Sequence, residues 1–112
     1  MYNEKKDFTV YLISGLIIAT RKDDVVAVSE LLQLNCNPSA GEDRSGLTPL
    51  HHAVECASYK SASVLLTYGA DPKKEDSSGI SPIDIAIEKK DKQMIQIFET
   101  FDSRLHIRNI CI

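Results

Sequence analysis

Apolar residues recur along this chain at three- and four-residue spacing, in short blocks separated by polar clusters. Leu50, Ala53 and Val54 form one block, and Ala62, Leu65 and Leu66 the next. Ile83, Ala86 and Ile87 form a third, and Ile95 and Phe98 a fourth. Residues three and four apart share a helix face, so each block predicts a short helix with one buried stripe. The breaks "ASYKS" and "KKDKQ" predict connections within helix pairs. An earlier run, "FTVYLISGLIIA" from Phe8 to Ala19, is apolar almost throughout. It is shorter than the roughly 20 residues that cross a bilayer as a helix. No small-residue cleavage site follows it, so it is expected to be a buried first helix and not a signal peptide.

The blocks repeat. Thr48 and Ser81, Pro49 and Pro82, Leu50 and Ile83, and Ala53 and Ala86 are pairs 33 residues apart. Written out, "DRSGLTPLHHAV" lies over "DSSGISPIDIAI". Upstream, "LLQLNCNPS" lies over "LLTYGADPK" at an offset of 34, which fits a one-residue insertion in the loop "AGEDRSG". That register carries Ser14, Ala19 and Val28 to the positions of Thr48, Ala53 and Ala62. The chain therefore reads as one domain of three units, 9–42, 43–75 and 76–102, with a tail at 103–112. The last two units open on a turn whose glycine, Gly46 or Gly79, tolerates positive φ. Thr48 or Ser81 then caps a helix, and Pro49 or Pro82 takes its first position, where a missing N–H costs nothing. Gly69 is expected to end the second helix of its pair, and Pro72 prevents continuation. A unit of this size cannot bury its own apolar face; stacked neighbours must cover it.

Thr48 to Ala53 reads T-P-L-H-x-A, and Leu65 to Pro72 reads L-L-x-x-G-A-D-P. With the 33-residue period, these segments resemble the ankyrin repeat. Unit three has Asp84 in place of the histidine. Unit one lacks the proline and histidine but keeps "ELLQLNCNP". The resemblance covers residues 9–101. It implies an all-α solenoid of stacked helix-turn-helix units with protruding β-turn loops. It also implies that His51 hydrogen-bonds the Thr48 region and the adjoining turn. "YGADP" with "SPIDIA" is similar, in addition, to the ankyrin segments of some Arf GTPase-activating proteins, whose zinc-finger cysteines are absent here. Glu99 stands where unit two has Leu66, so that face is expected to meet water and end the stack. The tail's Leu105, Ile107, Ile110 and Ile112 read either as a cap or as a truncated continuation.

Composition narrows the chemistry. The 112 residues are 43% hydrophobic and 26% charged, with no Trp, so an aliphatic core is expected. A net charge of -3 argues against nucleic acid and anionic membranes, which need a concentrated basic face. Cys36, Cys56 and Cys111 are far apart and form no C-x-x-C pair. They fit a reducing compartment, expected to be the cytoplasm, with the nucleus also open. His52 and Cys56 share a helix face, but zinc takes four ligands, or three and water, and nothing nearby completes the set. Nor does an oxyanion turn accompany Cys56 as a nucleophile. Glu42, Asp43, Glu75, Asp76, Glu88 and Asp91 fall in turns and at helix ends, where solvated or capping roles are expected. There is no glycine-rich phosphate loop.

The expectation is therefore a non-enzymatic module with no cofactor, metal, small-molecule substrate, nucleic acid or membrane insertion, and with a protein partner. The resemblance implies binding through a concave face of turn tips and inner helices. By register that face holds Arg21 and Lys22 in unit one, and Arg44, Ser45, Leu47, Glu55 and Cys56 in unit two. In unit three it holds Ser77, Ser78, Ile80, Glu88 and Lys89. Leu47 and Ile80 are apolar in turns, either as a contact stripe or because they pack on each other. Three further roles stay open: an inhibitor masking a transcription factor or kinase, an accessory segment of a larger regulatory protein such as an Arf GTPase-activating protein, and a structural spacer.

Overall fold

The computed structural model describes the backbone of residues 4–102 and the side chains of residues 11–102. The tail at 103–112 lies outside the described residues. Within them are six helices and no strand: α1 (Glu4–Arg21), α2 (Val25–Gln33), α3 (Pro49–Glu55), α4 (Tyr59–Thr67), α5 (Pro82–Lys89) and α6 (Lys92–Phe101). They pair as antiparallel hairpins, α1 with α2, α3 with α4 and α5 with α6. The hairpins stack in two rows, an inner row of α1, α3 and α5 and an outer row of α2, α4 and α6. The α3 and α5 helices have 7 and 8 residues, too short to persist alone, so packing holds them.

The core lies between the rows. Leu16, Val28, Leu50, Leu65, Met94 and Phe98 are fully buried, and Ala53, Ala62 and Ala86 let neighbouring helices approach closely. Ala19 and Val28 are buried as the repeat register requires. Ser14 does not behave as its register mates do. It is exposed inside α1, not at a helix start. Without a turn glycine or proline in front of it, nothing interrupts the helix, which continues upstream to Glu4. Leu16, Ile17 and Ala19 of the apolar run are buried against the stack, and no described helix is long and apolar enough to cross a membrane.

The repeat is written in the backbone as well. Asp23, Ala57 and Lys90 link the paired helices with φ of 55°, 54° and 55°. Each precedes the same closing bond, in which the N–H of Asp24, Ser58 or Asp91 donates to the carbonyl of Ala19, Ala53 or Ala86. These are the helix-ending bonds of a left-handed cap. Gly69, at φ 94°, ends α4 in the expected way.

Candidate protein-interaction face

The turn–helix junctions position this face. Thr48 caps α3 by accepting from the His51 N–H at 3.3 Å, while the Thr48 N–H donates to His51 Nδ1 at 3.0 Å. An Nδ1 that accepts leaves the proton on Nε2, and Nε2–H donates to the Ile80 carbonyl at 2.8 Å. His51 is fully buried, and it fastens one junction to the turn of the next unit. Ser81 and Asp84 repeat the box on α5, with the Ser81 N–H donating to Asp84 Oδ2 at 2.9 Å. A carboxylate cannot donate onward, so Asp84 caps its own helix without the bridging bond that His51 makes.

The turns themselves are joined. The Ser77 N–H donates to the Ser45 carbonyl at 2.8 Å. Gly46 sits beside this contact at φ 70°, and a Cβ there would lie 3.0 Å from the Ser77 nitrogen. Glu42 closes its turn by donating to the Leu47 carbonyl, as Asp76 does to that of Ile80, so the first of these turns is one residue longer. Asp76 Oδ1 accepts from the N–H groups of Ile80 and Ser78 at 3.0 and 2.8 Å. These bonds, that of Ile80 foremost, hold its carboxyl below the usual aspartate value.

Between α3 and α5 the stack leaves a groove of about 280 Å³. Leu47, Ile80 and Ile85 supply its apolar surface, and Glu55, Asp76 and Glu88 its acidic groups. Lys89 completes it, held by Glu55 through the backbone carbonyl and through Oε2, both at 3.2 Å. Five of the twelve residues named from the sequence thus meet in one place. The apolar Leu47 and Ile80 both face it, with Ile80 39% exposed.

The same position one repeat earlier is built differently. Arg21 corresponds to Glu55, His52 to Ile85, and Glu42 closes its turn as Asp76 does. Here Arg21 Nη1 donates to His52 Nδ1 at 3.0 Å, and His52 Nε2–H donates to Glu42 Oε1 at 2.8 Å. A polar bridge thus joins unit one to unit two where the second junction is open. It also accounts for His52, whose ring nitrogens are both engaged away from Cys56. Among the described residues, no three His, Cys, Asp or Glu side chains gather as metal ligands.

The remaining named residues are dispersed. Lys22, Arg44, Ser77 and Ser78 are exposed outside the groove. Cys56 is half-buried at the end of α3. Ser45 differs from its expected freedom: its hydroxyl accepts from the Leu47 N–H at 3.2 Å and lies 3.5 Å from Glu42 Oε1, so it shapes the turn. Asp76 and Ile85 are the groove residues that sequence reasoning missed. Asp76 reads as a capping or solvated carboxylate, and it does bind backbone N–H groups. Ile85 carried a signal, an isoleucine where the preceding unit has His52.

A family model described as ankyrin repeats, in three copies, matches residues 4–76. The 2-5A-dependent ribonuclease of Mus musculus is 42% identical over 73 residues, 65% of this chain and 10% of that protein. The ADP-ribosylation factor GTPase-activating protein AGD4 of Arabidopsis thaliana is 37% identical over 75 residues, 67% of this chain and 10% of the relative. The ARF GTPase-activating protein GIT2 of Mus musculus is 35% identical over 81 residues, 72% of this chain and 11% of the relative. The chain spans about a tenth of the length of these curated relatives. The family match agrees with the 33-residue period, the paired capping boxes and the two-row helical stack: the chain belongs to the ankyrin-repeat family.

Proposed function

We propose that this protein is a non-enzymatic interaction module whose partner protein binds across the turn tips and inner helices of units two and three. One observation carries the reading. Leu47, Ile80 and Ile85 line an open groove beside Glu55 and Glu88, so apolar side chains from two successive turns and an inner helix meet acidic groups in one place. Apolar surface rimmed by polar groups is where partners gain affinity. A volume of about 280 Å³ is at the lower edge of small-molecule sites, and its acidic groups disfavour a phosphate-bearing ligand. The reading keeps the cytoplasmic setting expected from the isolated thiols.

A second reading, as an accessory ankyrin segment of a larger regulatory protein, is supported by relatives about ten times longer than the matched region. Affinity capture from native lysate with mass-spectrometric identification, followed by hydrogen-exchange footprinting of the complex, tests the proposal. Protection of 44–56 and 77–89 supports it. A footprint confined to the outer helices α2, α4 and α6 overturns it.

A further inference from the structure

The first junction shows what the second one lacks. Arg21 brings a guanidinium to His52 and, through it, to the turn carboxylate Glu42. At the second junction the arginine position is Glu55, the histidine position is Ile85, and the turn carboxylate is Asp76. The groove therefore holds three carboxylates and one ammonium, and Lys89 is already tied to Glu55. Asp76 is also tied, through Oδ1, to two backbone N–H groups. Glu88 is exposed at the rim. The uncompensated charge is negative, and it borders the apolar surface of Leu47, Ile80 and Ile85.

We propose that this groove takes a short basic and apolar segment of the partner protein, an arginine or lysine flanked by aliphatic residues. The inference rests on the interaction reading above and names the chemistry of that same site. An aliphatic residue of the segment covers Leu47, Ile80 and Ile85. The adjacent cation meets Glu88, exposed at the rim, and Glu55 beside it. Arginine suits the site better than lysine, because its planar fork satisfies carboxylates bidentately and lies flat on apolar surface.

The test uses the full chain, labelled with nitrogen-15, and two synthetic peptides. One is acetyl-Leu-Arg-Leu-Arg-Leu-amide, and the other has glutamate for both arginines. The basic peptide is expected to shift the amides of Leu47, Ile80, Ile85 and Glu88 saturably, and the acidic peptide to leave them unmoved. Glu88→Gln should weaken the basic peptide about two- to fivefold, the effect of one partly exposed ion pair. Added salt should weaken it further. Glu55→Arg combined with Ile85→His places the arginine and histidine of the first junction here and should abolish the shifts in a variant whose amide spectrum shows it folded. The inference is overturned if both peptides bind alike, if neither binds, or if the folded double variant binds as the parent does. Such a failure, beside a captured partner that still protects 44–56 and 77–89, would reject the basic segment and leave the interaction reading standing.

Discussion

His51 and His52 are adjacent, yet they answer to different neighbours. His51 is spent inside the stack, on Thr48 and the Ile80 carbonyl. His52 is spent on the face, between Arg21 and Glu42. Thr20 is a third polar residue with a structural consequence. It is fully buried, and its hydroxyl has no hydrogen-bond partner. The repeat places Val54 at the same position in unit two. Thr20→Val keeps the shape and removes the unpaired group, so it should raise stability by up to about 1 kcal/mol. Thermal unfolding reads this as a rise of at most about 4–8 °C in Tm, and a fall would contradict it. Asp76 makes stability depend on pH. Its folded carboxyl titrates below its unfolded value, so its stabilisation is present above the usual aspartate value and is lost as pH falls from there through the lower folded value. The Tm difference between the parent and Asp76→Asn should therefore be largest near neutrality and shrink in acid. A difference that does not vary with pH would contradict the assigned hydrogen bonds.

Each helix owes its place to a different mixture of signals. Proline, a capping hydroxyl and the apolar spacing together make α3 and α5 legible in the sequence. The stripe of Ala62, Leu65 and Leu66 does so for α4. Leu65 is fully buried in the shared core. Leu65→Ala should cost about 2–5 kcal/mol, and an unchanged unfolding midpoint would contradict the register. The upstream reach of α1 was not legible, because the register carried a capping position onto Ser14 while the sequence lacks the proline and turn that would break the helix there. The left-handed links at Asp23, Ala57 and Lys90 were hidden as well. Glycine is the usual mark of that conformation, and none of these residues is glycine. The helix-closing bonds impose the conformation instead. Five of the seven groove residues were readable, since turn and inner-helix positions follow from the period. The Arg21–His52–Glu42 bridge was not, because its members are 31 and 10 residues apart and belong to no single motif.

The whole molecule is a stack whose two junctions share a backbone plan and differ in chemistry. The first carries a hydrogen-bonded arginine and histidine, and the second carries an apolar and acidic groove. Stability comes from residues that repeat, such as Leu50 and Ile83 or Ala53 and Ala86. The proposed specificity comes from positions where the units diverge, such as Arg21 against Glu55 and His52 against Ile85. Substitutions at the exposed members of those pairs, Arg21 and Glu55, should therefore separate binding from folding. The central claim is tested most directly by measuring the affinity of Glu55→Ala/Glu88→Ala for the captured partner beside its thermal unfolding. The account predicts at least about threefold weaker binding, from two lost surface charges, with Tm essentially unchanged. Full affinity in the folded double variant would contradict the assignment of this face.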